Sequence, residues 1–134
     1  MDTHAFPMLS HSVASREAVL SLTKSMAVEW VKQGVRVCAV SPGFIYSDSA
    51  FAHYGGLADT FMSTMLPAIP AKRLGSVEEV SGAVSFLLSP AASYITGINL
   101  PIDGGSKFVL KPLFDIPDIT HLPVYGTLPT QAKM

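Results

Sequence analysis

Gly34-Val35-Arg36-Val37-Cys38-Ala39-Val40-Ser41-Pro42-Gly43 is the stretch that decides the architecture of this chain. Val35 to Val40 is short, β-branched and apolar at most positions, so it is predicted to be a strand buried on both faces of a parallel sheet. Pro42-Gly43 closes it. Upstream, from Ser12 to Gln33, the apolar residues Val19, Leu22, Met26 and Trp30 recur at three- and four-residue steps, which sets them along one face of a helix. Gly34 ends that helix, because glycine takes the left-handed conformation without steric cost.

Downstream, Ser76-Val77-Glu78-Glu79 places a serine N-cap three residues before a glutamate. This capping box satisfies two otherwise unpaired amide donors, so a second helix begins there. Val77, Val80, Val84, Leu87 and Leu88 form its apolar stripe, and Pro90 stops it near Ser89. Ile98 to Ile102 reads as a second strand, interrupted by Pro101, before Asp103-Gly104-Gly105 turns the chain. Between the strands, Phe44 to Leu74 holds Gly55-Gly56, Pro67 and Pro70 and is predicted to be loop around a helix near Asp59 to Met65. Beyond Ser106, Pro112, Pro117, Pro123 and Pro129 punctuate an extended tail.

The order helix, strand, loop, helix, strand is that of an α/β protein with a doubly wound parallel sheet. Two strands alone make a ribbon that is marginal in water. The missing strands are therefore expected from an upstream segment or another chain. None of the ten glycines form G-x-G-x-x-G, the turn that holds a dinucleotide's pyrophosphate at a helix N-terminus.

Composition narrows the partners. The 134 residues are 49% apolar with a formal net charge of -1, so no basic field draws nucleic acid or an anionic membrane. No apolar run approaches the ~20 residues of a membrane span, and the first residues have no secretory pattern. Cys38 reads as a buried small hydrophobe. His4, His11, His53 and His121 have no zinc-site spacing with it, so no metal is expected.

Several motifs in order carry a resemblance. Leu22-Thr23-Lys24-Ser25-Met26-Ala27-Val28-Glu29-Trp30, Gly34-Val35-Arg36-Val37 and Ser41-Pro42-Gly43 come first. Arg73-Leu74-Gly75, Glu78-Glu79-Val80, Phe86-Leu87-Leu88-Ser89, Ala92 to Gly97 and Asp103-Gly104-Gly105 follow. From Ser12 to Gly105 the chain resembles the short-chain dehydrogenase/reductases, which implies that residues 1–105 are the C-terminal half of an α/β, doubly wound Rossmann-like parallel sheet domain whose N-terminal cofactor-binding half is missing, with 106–134 as an extended C-terminal tail. Ile45-Tyr46-Ser47, Pro70-Ala71-Lys72-Arg73 and Leu87 to Ser93 resemble the peroxisomal trans-2-enoyl-CoA reductases among them. Ala132-Lys133-Met134 is similar to the Ser-Lys-Leu address read by a peroxisomal import receptor.

The resemblance implies an NADPH-dependent reductase that delivers hydride to the β-carbon of an enoyl-CoA thioester, in a homo-oligomer when full length, with the phosphate grip outside this chain. The family's Tyr-x-x-x-Lys falls on Ser12 and Arg16. Arginine keeps a fixed positive charge, whereas serine is a far weaker acid than a phenol of ordinary pKa ≈10. His11 is the nearby titratable alternative. A second register ends at Lys24 and begins with Leu20, which does no acid-base work. The turn holding Pro42, Gly43, Ile45 and Ser47 implies a site for the nicotinamide carboxamide. Lys72 and Arg73 suit CoA phosphates, although Arg73 is equally placed to pair with Glu78 or Glu79. Two other readings stay open: a non-catalytic chain that only associates with full-length subunits, and a 2,4-dienoyl-CoA reductase, whose family members also dispense with the tyrosine.

Overall fold

The computed structural model of the chain describes residues 10–54, 62–64, 66–108, 125–127 and 129. Helix α1 spans Ser10–Trp30 and tightens into a 3₁₀ turn, Val31–Gln33. Gly34 follows at φ 78°, its amide donating to the Val31 carbonyl, so the glycine stop falls where the sequence placed it.

Strand β1 is Ala39–Pro42 and strand β2 is Asn99–Ile102. They pair in parallel, with Ala39 opposite Asn99 and Pro42 opposite Ile102. The strand predicted from Val35 thus begins four residues later. Strand limits follow the partner rather than hydrophobicity, and β2 begins only at Asn99. Val37 is still tethered, its carbonyl accepting from the Gly97 amide at 2.7 Å and its amide donating to Thr96 Oγ1 at 3.1 Å. Residues 98, 100 and 102 turn their backbone groups to β1, so the missing N–H of Pro101 falls on the outer edge and the ladder loses no donor.

Helix α2, Asp48–Tyr54, stands where loop was expected. Its Phe51 ring lies 4.7 Å from that of Tyr46. Both pack on a small core of Met62, Leu66, Ile69 and Leu74. Of the helix predicted near Asp59 to Met65, residues 62–64 are helical and the others lie outside the described residues.

Helix α3 is Val77–Leu88, begun by the capping box of Ser76 and Glu79 and ended at Ser89 before Pro90. Arg36 caps its far end, donating to the carbonyls of Leu87 at 2.7 Å and Ile95 at 3.3 Å. A cation there satisfies carbonyls that the helix leaves unpaired and opposes the dipole's negative end. Cys38 is half-buried, its thiol against the Ile95 carbonyl at 3.5 Å.

The α1 surface that is buried holds Thr23 and Ala27. Thr23 satisfies its hydroxyl on the Val19 carbonyl at 2.9 Å, and Ala27 meets Gly97, where a Cβ would lie 3.3 Å away. The predicted apolar face is present but turned outward at Val19, Leu22 and Trp30, as are Phe86 and Leu88 on and around α3. Exposed apolar surface of this extent is uncommon on a self-sufficient monomer. Among the described residues no helix is long and apolar enough to cross a membrane.

Ser76 is 1% exposed and its hydroxyl both accepts from the Glu79 amide and donates to the Tyr125 carbonyl. Ser76→Ala is expected to cost about 1–2 kcal/mol of unfolding free energy, read as a lowered urea midpoint at unchanged slope.

Candidate functional site

In open parallel α/β sheets ligands meet the carboxyl ends of the strands, and here the two ends are drawn tightly together. The Gly43 amide donates to the Ile102 carbonyl at 3.0 Å. A Cβ on Gly43 would lie 2.8 Å from Asp103 Cα, so only glycine permits this approach. Asp103 uses its carboxylate on the turn itself, accepting from the amides of Gly105 at 3.0 Å and Lys107 at 2.9 Å. The Asp-Gly-Gly turn is therefore structural. Ala71 is tied to it by donating to the Gly104 carbonyl at 3.1 Å.

Beyond Gly43 the chain is stitched to the segment before α3. Gly75 donates to the Phe44 carbonyl at 2.9 Å and Tyr46 donates to the Gly75 carbonyl at 2.8 Å, a parallel bridge centred on Ile45. Such a bridge uses the groups flanking its central residue, and leaves Ile45's own N–H and C=O facing the opposite side. Neither has a partner among the described residues. One donor and one acceptor adjacent on an extended backbone match the two polar groups of a primary carboxamide.

The remaining sequence-derived residues fall in three places. Pro42, Gly43, Ile45 and Ser47 share this turn, with Ser47 Oγ 3.4 Å from Ser49 Oγ. Ser12 and Arg16 sit one turn apart near the start of α1, where the guanidinium donates to the Ser12 carbonyl at 3.0 Å and to the Ser12 hydroxyl. That contact leaves the serine proton to point elsewhere. Lys24 is exposed, about 12 Å further along the helix axis than Arg16 at 1.5 Å rise per residue. The two registers are thus separate places, not one constellation.

A concavity of about 310 Å³ opens beside the turn, walled by Phe44, Ile69, Ala71, Arg73, Ile102 and Asp103 among others. Arg73 meets Glu79 through two parallel bonds of 2.9 and 2.7 Å, so its charge is engaged by Glu79 rather than Glu78. Lys72 stands at φ 55° and donates to the Pro67 carbonyl at 3.1 Å. The phenol nearest the turn, Tyr46, donates to Asp48 at 3.1 Å, and that bond holds its pKa above the ordinary 10.0. Sequence reading gave no role to Tyr46 or Arg36. Among the described residues no three His, Cys, Asp or Glu side chains gather as a metal site.

The Arg73 guanidinium holds the Glu79 carboxyl below its ordinary 4.5. Partial burial opposes the shift, and amide donation from Ser76 and Tyr125 adds to it. Since the folded carboxyl titrates below the unfolded one, its bonds add stability that is fully present above pH 4.5 and lost as pH falls through the lowered value. Urea midpoints measured downward from neutral pH are expected to drop through that window, and Glu79→Gln to remove this part of the drop.

Residues 2–107 match the family described as Enoyl-(Acyl carrier protein) reductase. The chain is 38% identical over 120 residues to 1-cyclohexenylcarbonyl-CoA reductase of Streptomyces collinus, covering 89% of this chain and 43% of that protein. It is 45% identical to the 3-oxoacyl-acyl-carrier-protein reductase FabG of Vibrio cholerae, covering 72% and 38%. Against the peroxisomal 2,4-dienoyl-CoA reductase of Pongo abelii it is 38% identical, covering 72% and 32%. The chain thus spans less than half the length of these relatives. Among solved structures, a putative 2-deoxy-d-gluconate 3-dehydrogenase from Agrobacterium tumefaciens with bound NADP superposes with a TM-score of 0.66 at 35% identity, covering 78% of this chain and 42% of that one.

Proposed function

The chain belongs to the short-chain dehydrogenase/reductase family, and on that premise we propose that it is the C-terminal, nicotinamide- and thioester-facing half of an NADPH-dependent trans-2-enoyl-CoA reductase. The observation that carries this reading is the unpartnered donor and acceptor of Ile45 at the carboxyl end of β1. Ile45 would hold the nicotinamide carboxamide, with Pro42 and Gly43 fixing the turn and Ser47 as a further polar contact. NADPH supplies the hydride when bound, and its phosphate grip lies outside this chain. The bound NADP of the Agrobacterium relative supports the cofactor class.

The Ser12–Arg16 pair separates the candidate substrates. Reducing a ketone needs a proton delivered to an alkoxide oxygen, which a phenol does and a serine does not at neutral pH. Adding hydride to an enoyl thioester puts charge on the thioester oxygen, while the proton goes to the α-carbon. That charge needs a hydrogen-bond donor rather than an acid. Ser12, its oxygen held by Arg16, has its own proton to offer. Lys24 belongs to the alternative register and contributes a solvated positive charge. The carbon-carbon reading thus has support from the Streptomyces CoA reductase, and the carbonyl reading of the Vibrio relative lacks its acid.

A dienoyl-CoA substrate is the second reading, favoured by the same missing phenol and by the Pongo relative. That relative, with Ala132-Lys133-Met134, also supports a peroxisomal location through an import receptor. In the complete polypeptide with NADPH, a trans-2-enoyl-CoA is expected to turn over at least about a hundredfold faster than a 3-oxoacyl-CoA, and Ser12→Ala to lower kcat about tenfold. Preferential dienoyl-CoA turnover would select the second reading, and an inert polypeptide would leave a non-catalytic subunit that only associates with active ones.

A further inference from the structure

The residues beyond the family match include a short segment packed on the start of α3. Ser76 Oγ donates to the Tyr125 carbonyl at 2.6 Å, across 49 residues of sequence. Ser76 in turn donates its own amide to Glu79 Oε2 at 2.9 Å. The contact with residue 125 uses its backbone, and the Tyr125 side chain itself is exposed. Gly126 then passes over Glu78 at φ 99°, where a Cβ would lie 2.4 Å from Glu78 Oε2. A side chain at 126 would meet both backbone strain and a carboxylate.

The groups so engaged also line the concavity. Glu79 receives the Ser76 amide at 2.9 Å and both ends of Arg73. Arg73 and Glu79 are walls of the concavity, as is Gly75, the residue stitched to Phe44 and Tyr46. A continuous polar path runs from residue 125 through Ser76, Glu79 and Arg73 to the turn that holds Ile45.

We propose that Tyr125–Gly126 is a backbone strap that fixes Ser76 and, through its amide, the Glu79 carboxylate that braces the Arg73 wall of the concavity. Tyr125 is then a positioning residue of the site, although it lies in what the sequence read as tail. Because the strap is made of main chain, it depends on the conformation at Gly126 and not on the identity of residue 125.

The test uses the whole chain and three variants: Gly126→Ala, Tyr125→Ala and, as a strain control, Gly34→Ala. Gly34 is likewise at positive φ but has nothing within 4 Å of an added Cβ. Two readouts are taken, hydrogen exchange at the Ser76 and Glu79 amides, and the titration of the Glu79 carboxyl carbon by NMR. Gly126→Ala is expected to speed exchange at both amides by at least about tenfold and to move the Glu79 titration upward, with α3 still helical by circular dichroism. Tyr125→Ala and Gly34→Ala are expected to leave both readouts as in the parent. A strap that is mere packing would give Tyr125→Ala the effect and spare Gly126→Ala. That pattern, or an unmoved Glu79 titration in Gly126→Ala, overturns the proposal. Should Gly126→Ala fail to fold, a chain ending at Val124 removes the strap outright and must reproduce both changes.

Discussion

The parallel pairing of β1 with β2 is the constraint on which the rest depends. Four residues on each side set the register, and the closing bond from Gly43 to the Ile102 carbonyl brings the two carboxyl ends together. That convergence places the turn and the concavity beside it. It fixes where the Pro42–Ser47 turn leaves the sheet, which side of Ile45 is left without partners, and where the Asp103 turn closes one wall of the concavity. A single Cβ at 43 would force the two ends apart, since the space is filled by Asp103 backbone. Overpacking of this kind commonly costs about 1–3 kcal/mol.

A second organising unit is polar. Ser76, Glu79 and Arg73 begin as a helix cap and end as a pocket wall, because the carboxylate that closes the capping box also takes both ends of the guanidinium. These groups are largely withdrawn from solvent, with Arg73 and Glu79 side chains 14% and 20% exposed. Removing one member therefore leaves the other unpaired in a poorly solvated place, which is the costly way to break such a pair. Local helix chemistry and site geometry are the same set of bonds here.

The elements legible in the sequence were those whose signals are local. The Gly34 stop, the Ser76 capping box and the Pro90 break each act within a few residues, and each falls where expected. What was not legible depends on distant partners. β1 starts at Ala39 rather than Val35 because the partner strand begins only at Asn99. Asp48–Tyr54 has no long apolar period, and Phe51 packs on the core that includes Leu66 and Leu74 rather than following a stripe of its own. Arg36 looked like one residue of a strand, and its partners lie 51 and 59 residues away. The turn of Pro42, Gly43, Ile45 and Ser47 was readable from its motif, but the reason Ile45 stands out is the bridge to Gly75, which no local pattern encodes. The outward apolar faces of α1 and α3 agree with the sequence argument that two strands do not make a self-sufficient sheet.

The backbone of Ile45 is proposed to receive a carboxamide at the carboxyl end of β1, independently of any phosphate grip. The most direct measurement is an NMR titration of the 134-residue chain with reduced nicotinamide mononucleotide, set beside one with adenosine 2',5'-bisphosphate. The Ile45 and Ser47 amides are expected to shift with the nicotinamide half, with millimolar affinity, and no residue to shift with the adenosine half. Shifts confined to the adenosine half, or an Ile45 amide unmoved by saturating nicotinamide mononucleotide, would contradict it.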